Sequence, residues 1–90
     1  MINLSKKKVR YVYLEMEIHQ SEFQHDHRVL FVTHCENIEF AVRWYIAHYW
    51  GEAERDGSLI WLNSDMIIKR YRYINLTTRQ YATMREVMYS

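Results

Sequence analysis

Apolar and polar residues alternate near the start of the chain. In the segment from Val9 to His19, every second position from Val12 to Ile18 is apolar, while the other face mixes tyrosines with glutamates. A period of two is typical of a strand with one buried face. The polar residues 20–27 predict a connection, and the almost entirely apolar segment Arg28 to His34 predicts a second strand.

The pattern then becomes helical, from Asn37 to Gly51. Asn37 predicts the N-cap, because its side chain can accept from an amide of the first turn. Gly51 predicts the end of the helix, where a left-handed residue is common. Thr33 followed by Glu36 offers an alternative capping box. We favour Asn37, since the β-branched residues before it favour an extended chain.

The second half of the chain contains two further strands and a helix. Residues 52–57 predict an exposed turn, and residues 58–63 and 66–76 predict the third and fourth strands. Thr77 and Gln80 form a capping box for a last helix that continues to Tyr89. Its apolar residues follow at helical spacing, and they are Tyr81, Met84 and Met88.

The predicted element order is ββαββα, in a single α+β domain that covers residues 1–90. The first helix connects the second strand to the third, and such a crossover returns the chain parallel to the strand it left. We therefore expect the third strand beside the first. The predicted fold is a two-layer sandwich, with a four-stranded antiparallel sheet in the order 2-1-3-4 and both helices on one face.

The first helix is unusually apolar and aromatic. One stripe is expected to face the sheet, and it comprises Ile38, Ala41, Val42, Tyr45 and Tyr49, with Ile46 at its edge. Either the last helix covers the remaining apolar residues, or they form an interface with a protein partner or with a second copy in a homodimer. The residues predicted for that interface are Phe40, Trp44, Ala47, His48 and Trp50.

The fourth strand carries the best signal for nucleic-acid binding. An extended chain would place Lys69, Tyr71 and Tyr73 on one face and Arg70 and Arg72 on the other. Rings beside cations are what single-stranded nucleic acid requires, and Tyr11 and Tyr13 could join them on an open sheet face. Against this, Glu15 and Glu17 share the face of Tyr11 and would repel phosphates. Cross-strand ion pairs are their expected role.

Candidates for catalysis and metal binding are weak. Five histidines are present, and His19, His25 and His27 lie in or beside one predicted loop, where we expect them to be solvated. A structural zinc site normally shows closely paired ligands that include cysteine, and that spacing is missing from the sequence. Cys35 follows His34, but adjacent residues on a strand point to opposite faces. We expect no catalytic residue, metal or cofactor.

Charge and cysteine content indicate the class of protein. The net charge is +1, from 12 basic and 11 acidic residues, so no global field attracts nucleic acid or anionic lipid. A single cysteine fits a cytoplasmic protein, and no apolar run is long enough for a membrane span. The pattern resembles many small proteins of bacteria, phages and mobile elements. That resemblance implies a protein that binds another macromolecule.

Overall fold

The protein forms one antiparallel sheet with two helices, in a computed structural model that describes residues 8–52, 54–57, 59–63 and 65–89. The predicted α+β class is confirmed. The sheet has five strands in the order β2-β1-β5-β4-β3. The elements in chain order are β1 (Arg10–Gln20), β2 (Phe23–Thr33), α1 (Ile38–Tyr49), β3 (Glu54–Asp56), β4 (Leu59–Trp61), β5 (Met66–Leu76) and α2 (Thr78–Tyr89).

The predicted strand order 2-1-3-4 was wrong. The last strand, β5, lies beside β1, and β4 lies outside it. Strand length explains the difference, because β1 and β5 each have 11 residues and β4 has three. A long central strand needs long neighbours on both sides to satisfy its backbone groups. The connection that contains α1 therefore leads from β2, at one end of the sheet, to β3 at the other end.

Two segments predicted as turns are strands, so the ββαββα order and the count of four strands were also wrong. Glu54–Asp56 forms β3, which pairs with β4. The polar segment before residue 28 belongs to β2, because the chain reverses at Ser21, whose φ of 54° suits a tight two-residue turn. Both segments belong to the outermost strands of the sheet, and one is short while the other is polar. They therefore lack the apolar alternation that marks half-buried strands.

The two helices lie on opposite faces of the sheet, and the prediction that both cover one face was wrong. The α1 face of the sheet carries the fully buried side chains Val12, Leu14, Met16 and Ile18, which pack with Val42 and Ile46 of α1. The α2 face carries Tyr13, Leu30 and Leu76, which pack with Tyr81, Met84 and Met88 of α2. Leu76 is the last residue of β5 and pairs with Tyr11, so the chain enters α2 on that side.

The predicted helix ends are confirmed. The amide of Phe40 donates to Oδ1 of Asn37 at 3.0 Å, and Gly51 follows the end of α1 with a φ of 67°. At α2, the amide of Gln80 donates to Oγ1 of Thr77 at 3.1 Å, and the amide of Thr77 donates to Oε1 of Gln80 at 2.9 Å. This reciprocal pair is a capping box.

Candidate protein-binding surface

The side of α1 that faces away from the sheet is aromatic and open to solvent. Phe40 is 60% exposed, Trp44 is 53% exposed and Tyr49 is 65% exposed. We call these three residues the α1 surface. Coverage of this surface by the last helix was one of the two expectations, and it was wrong because α2 packs on the other face of the sheet.

Tyr49 was predicted to face the sheet, and this prediction was wrong. Its ring contacts the ring of Tyr45 with a centroid distance of 4.8 Å and remains largely exposed. The next residue, Trp50, instead packs against the core and meets His27 of β2 at 4.8 Å. The space over the sheet at this end of α1 is therefore taken by Trp50.

A groove of about 430 Å³ lies between α1 and the end of β2. The rings of Phe31 and Tyr45 stack in it, with centroids 4.6 Å apart and an angle of 11° between their planes. On the outer side, Trp44 stacks on His48 at 4.5 Å. Stacking restricts the rotamers that these rings can adopt. The groove is lined by Phe31, Val32, Thr33, His34, Cys35, Phe40, Ala41, Trp44, Tyr45 and Tyr49.

The structure brings together four of the five residues predicted for a protein interface. Phe40, Trp44, Ala47 and His48 are all exposed along one side of α1. Trp50 is half-buried and contributes to the core, as described above.

Sequence reasoning missed the contribution of β2 to the groove beside the α1 surface. Phe31 and the exposed Val32 form one wall of the groove, and Phe23 at the other end of β2 is 75% exposed. The signal was an isolated phenylalanine among the polar residues 20–27, which a solvated loop does not require. If those residues had been predicted as an edge strand, Phe23 would have been expected on its exposed surface.

The tyrosines of β5 are engaged within the fold. The hydroxyls of Tyr71 and Tyr73 each donate to the carboxylate of Glu39 in α1, at 2.8 Å. Burial raises the pKa of Tyr71 above its usual value, and the bond to Glu39 raises the pKa of Tyr73. The same bond from Tyr73 lowers the pKa of Glu39. These hydrogen bonds connect the first turn of α1 to β5.

We predicted that the tyrosines of β1 and β5 share an open face of the sheet, and this prediction was wrong. Tyr73 pairs with Leu14 on the α1 face, whereas Tyr11 pairs with Leu76 on the α2 face. Tyr11 stacks on Tyr81 of α2 at 4.4 Å, and Tyr13 is buried beside it. Each helix covers one pair of tyrosines, so the four rings do not form a common platform for bases.

The arginines of β5 form the predicted ion pairs with β1. Arg72 contacts Glu15 at 2.9 Å, and Arg70 contacts Glu17 at 3.3 Å, both across strands. The hydrogen bond from Arg72 lowers the pKa of Glu15. Lys69 is exposed at the irregularity where β5 shifts register against β1. The glutamates therefore offset much of the positive charge that would attract phosphates.

The histidines of β2 lie along its length rather than in a loop. His25 and His27 share the α1 face, and burial, followed by the charge of His25, lowers the pKa of His27. Within the described ranges, no group of three or more His, Cys, Asp and Glu side chains is placed to hold a metal ion. The thiol of Cys35 donates to the carbonyl of Asn37 at 3.3 Å.

No protein-family model, curated protein or solved structure matches the chain. In the part of the chain that the structure describes, neither helix has the length and apolar character needed to cross a membrane.

Proposed function

We propose that the protein is a small non-enzymatic protein-binding module that acts through the α1 surface and binds a second copy of itself. The observation that carries this proposal is the exposure of Phe40, Trp44 and Tyr49 beside an apolar groove. Contiguous apolar surface of this kind marks interaction sites in soluble proteins.

The chemistry of the surface supports protein binding. Tryptophan and tyrosine are enriched among the residues that dominate binding energy, because they bury a large area with little loss of rotamer entropy. Trp44 is stacked on His48, so part of its ordering is complete before association. A partner that covers Trp44 therefore loses less side-chain entropy on binding than it would with an unrestrained ring.

The experiment is a measurement of solution mass by sedimentation over micromolar concentrations. We expect a concentration-dependent rise above the monomer mass of 11.2 kDa. Trp44→Ala should remain folded, because about half of the side chain is already exposed, and it should lose association. The matched control is Val87→Ala on α2, which removes another exposed apolar side chain and should leave association intact.

Thermal melts of both variants come first, because a buried tryptophan would unfold the domain on truncation. A monomer mass at every concentration would contradict self-association. Unchanged association in a folded Trp44→Ala variant would contradict the assignment to the α1 surface.

The alternative function is nucleic-acid binding through β5. Absorbance at 260 nm in the purified protein would support it if the signal were lost in Lys69→Ala and kept in Trp44→Ala. We rank it second because Tyr71 and Tyr73 already bond to Glu39.

A further inference from the structure

The two outermost strands of the sheet differ greatly in length. The edge strand β3 has three residues, whereas the edge strand β2 has 11. Short edges resist pairing with other chains, and a long edge presents a row of unpaired backbone groups as a template for another strand. Among the described residues, the outer side of β5 is also open from residue 69 to residue 76, beyond its two pairs with β4. That stretch carries the cations Lys69, Arg70 and Arg72, which discourage pairing with a second copy. The β2 edge is therefore where we expect strand addition.

One hydrogen bond identifies the backbone groups that point out of the β2 edge. The amide of Leu30 donates to the hydroxyl of Tyr89 at 3.2 Å, so this N–H points away from β1. In an antiparallel pair, residues alternate between facing the partner strand and facing away. The backbone groups of Gln24, Asp26 and Arg28 therefore also point outward.

Two opposite charges lie two residues apart on this edge. Asp26 and Arg28 share the α2 face, since they pair with Glu17 and Glu15 of β1. Neither takes part in a salt bridge with another described residue. Asp26 is directly opposite Glu17, whose carboxylate contacts Arg70 and His19, so the residue facing Asp26 across the strands is not a cation. An arginine from a second copy would supply one.

We propose that β2 pairs antiparallel with β2 of a second copy about a two-fold axis at His27, so that Phe23 of each copy reaches the groove of the other. The proposal rests on the self-association put forward above and names its geometry. It joins the two sheets into one and places both copies of α1 on the same face.

Charge complementarity selects this register. With the axis at His27, Asp26 of each copy is opposite Arg28 of the other. An axis at Asp26 or at Arg28 would instead oppose like charges, which destabilises a cross-strand pair. An axis at Val29 would place both charged side chains opposite apolar residues.

The same register accounts for the exposure of Phe23. The residue opposite it is Phe31 of the second copy, on the α1 face, where Phe31 stacks on Tyr45 in the wall of the groove. An exposed phenylalanine at one end of β2 thus meets an aromatic groove at the other end. The site is self-complementary, as a two-fold interface requires.

The group on the axis does not oppose pairing near neutral pH. Two copies of His27 would face each other there, and burial against Trp50 keeps the pKa of His27 below its usual value. Both imidazoles are therefore mostly uncharged. At Leu30, the hydroxyl of Tyr89 would give way to the backbone of Gln24 in the second copy.

The test uses charge exchange on the full chain. Asp26→Arg and Arg28→Asp should each raise the dissociation constant of the homodimer by roughly tenfold or more, because each replaces two attractive cross-strand pairs with two repulsive ones. An equimolar mixture of the two variants should form a heterodimer, in which every pair is again opposite in charge. The double variant should restore the homodimer.

Sedimentation of each variant alone and of the mixture gives the result. Recovery on mixing also demonstrates that both variants are folded. Wild-type affinity in both single variants, or two monomeric variants with no recovery on mixing, would overturn the edge pairing. If Trp44→Ala still abolished association in that case, the proposed function would stand without this geometry. A monomeric wild type would overturn both.

Three further variants separate the contribution of the groove from that of the strand. Phe23→Ser should weaken the dimer, whereas Val87→Ser, at an equally exposed apolar residue on α2, should not. Tyr89→Phe removes the hydroxyl that competes for the amide of Leu30, so it should strengthen the dimer. Equal effects of the two serine variants, or a weaker dimer in Tyr89→Phe, would contradict the proposal.

Discussion

We expect Glu39 to hold α1 against the sheet through hydrogen bonds, so its removal should measurably lower the free energy of unfolding. Glu39→Ala deletes the acceptor for two tyrosine hydroxyls, each at 2.8 Å, and also a carboxylate in the first turn of the helix. The perturbation leaves the fully buried residues Val42 and Ile46 of the same helix in place. The effect therefore reports on this attachment rather than on the core.

The magnitude follows from the exposure of the carboxylate. A hydrogen bond to a charged group contributes about 1.5–3 kcal/mol when it is shielded from solvent. The Glu39 side chain is 45% exposed, so we discount each of the two bonds to less than about 1 kcal/mol. The acidic group near the helix N-terminus adds about 0.3–1 kcal/mol. The expected loss is about 2 kcal/mol, which should lower the urea midpoint by about 1–2 M.

A double-mutant cycle isolates the contact. Tyr73→Phe should destabilise the wild type but have little effect in the Glu39→Ala background, with a coupling of about 0.5–1 kcal/mol. Glu39→Gln is the matched control, because its amide oxygen retains one acceptor without the charge. Equal effects of Tyr73→Phe in the two backgrounds, or an unchanged urea midpoint in Glu39→Ala, would refute the reasoning.

The pH dependence of the same contact has a definite sign. The bond from Tyr73 lowers the pKa of Glu39 below its usual value of 4.5, so the folded state favours the ionised carboxylate. This contribution is fully present above pH 4.5 and is lost as the pH falls through the lowered pKa. The stability difference between wild type and Glu39→Gln should therefore shrink in acid.

Three other outcomes are expected. Burial lowers the pKa of His27, so its stabilising contribution is lost as the pH falls below 6.5 through the lowered value, and melts from about pH 7 to about pH 5 should decline more in wild type than in His27→Gln. Thr77→Ala should cost about 0.5–2 kcal/mol by removing the capping box with Gln80, and hydrogen exchange should localise the loss to α2. Full chelation should leave the melting temperature unchanged, which a calorimetric scan with and without chelator will check.

Local features of the fold could be predicted from the sequence. The cap at Asn37, the end of the helix at Gly51 and the capping box at Thr77 each depend on side chains within a few residues. The ion pairs of Glu15 and Glu17 were also predictable, because the alternation of β1 places both carboxylates on one face.

Long-range arrangement could not be predicted in the same way. The stripe of apolar residues on α2 shows that one side is buried, but it does not say which face of the sheet it covers. That choice depends on Leu76, whose side was known only once the register of β5 against β1 was known. The three residues of β3 carry no periodic signal of their own. The part of the candidate surface that lies on α1 could be predicted, because its residues belong to one helix. The groove wall from β2 could not, because it depends on how β2 and α1 lie beside each other in the fold.

The placement of β5 between β1 and β4 has a consequence for synthesis of the chain on the ribosome. The β1–β2 hairpin is made first, but the other edge of β1 pairs with Met66–Leu76, which is translated more than 30 residues after the end of β2. At about 5–20 residues per second, the nascent hairpin waits several seconds with this edge of β1 unpaired. During such an interval, neighbouring nascent chains on one polysome can meet through this unpaired edge before β5 is made.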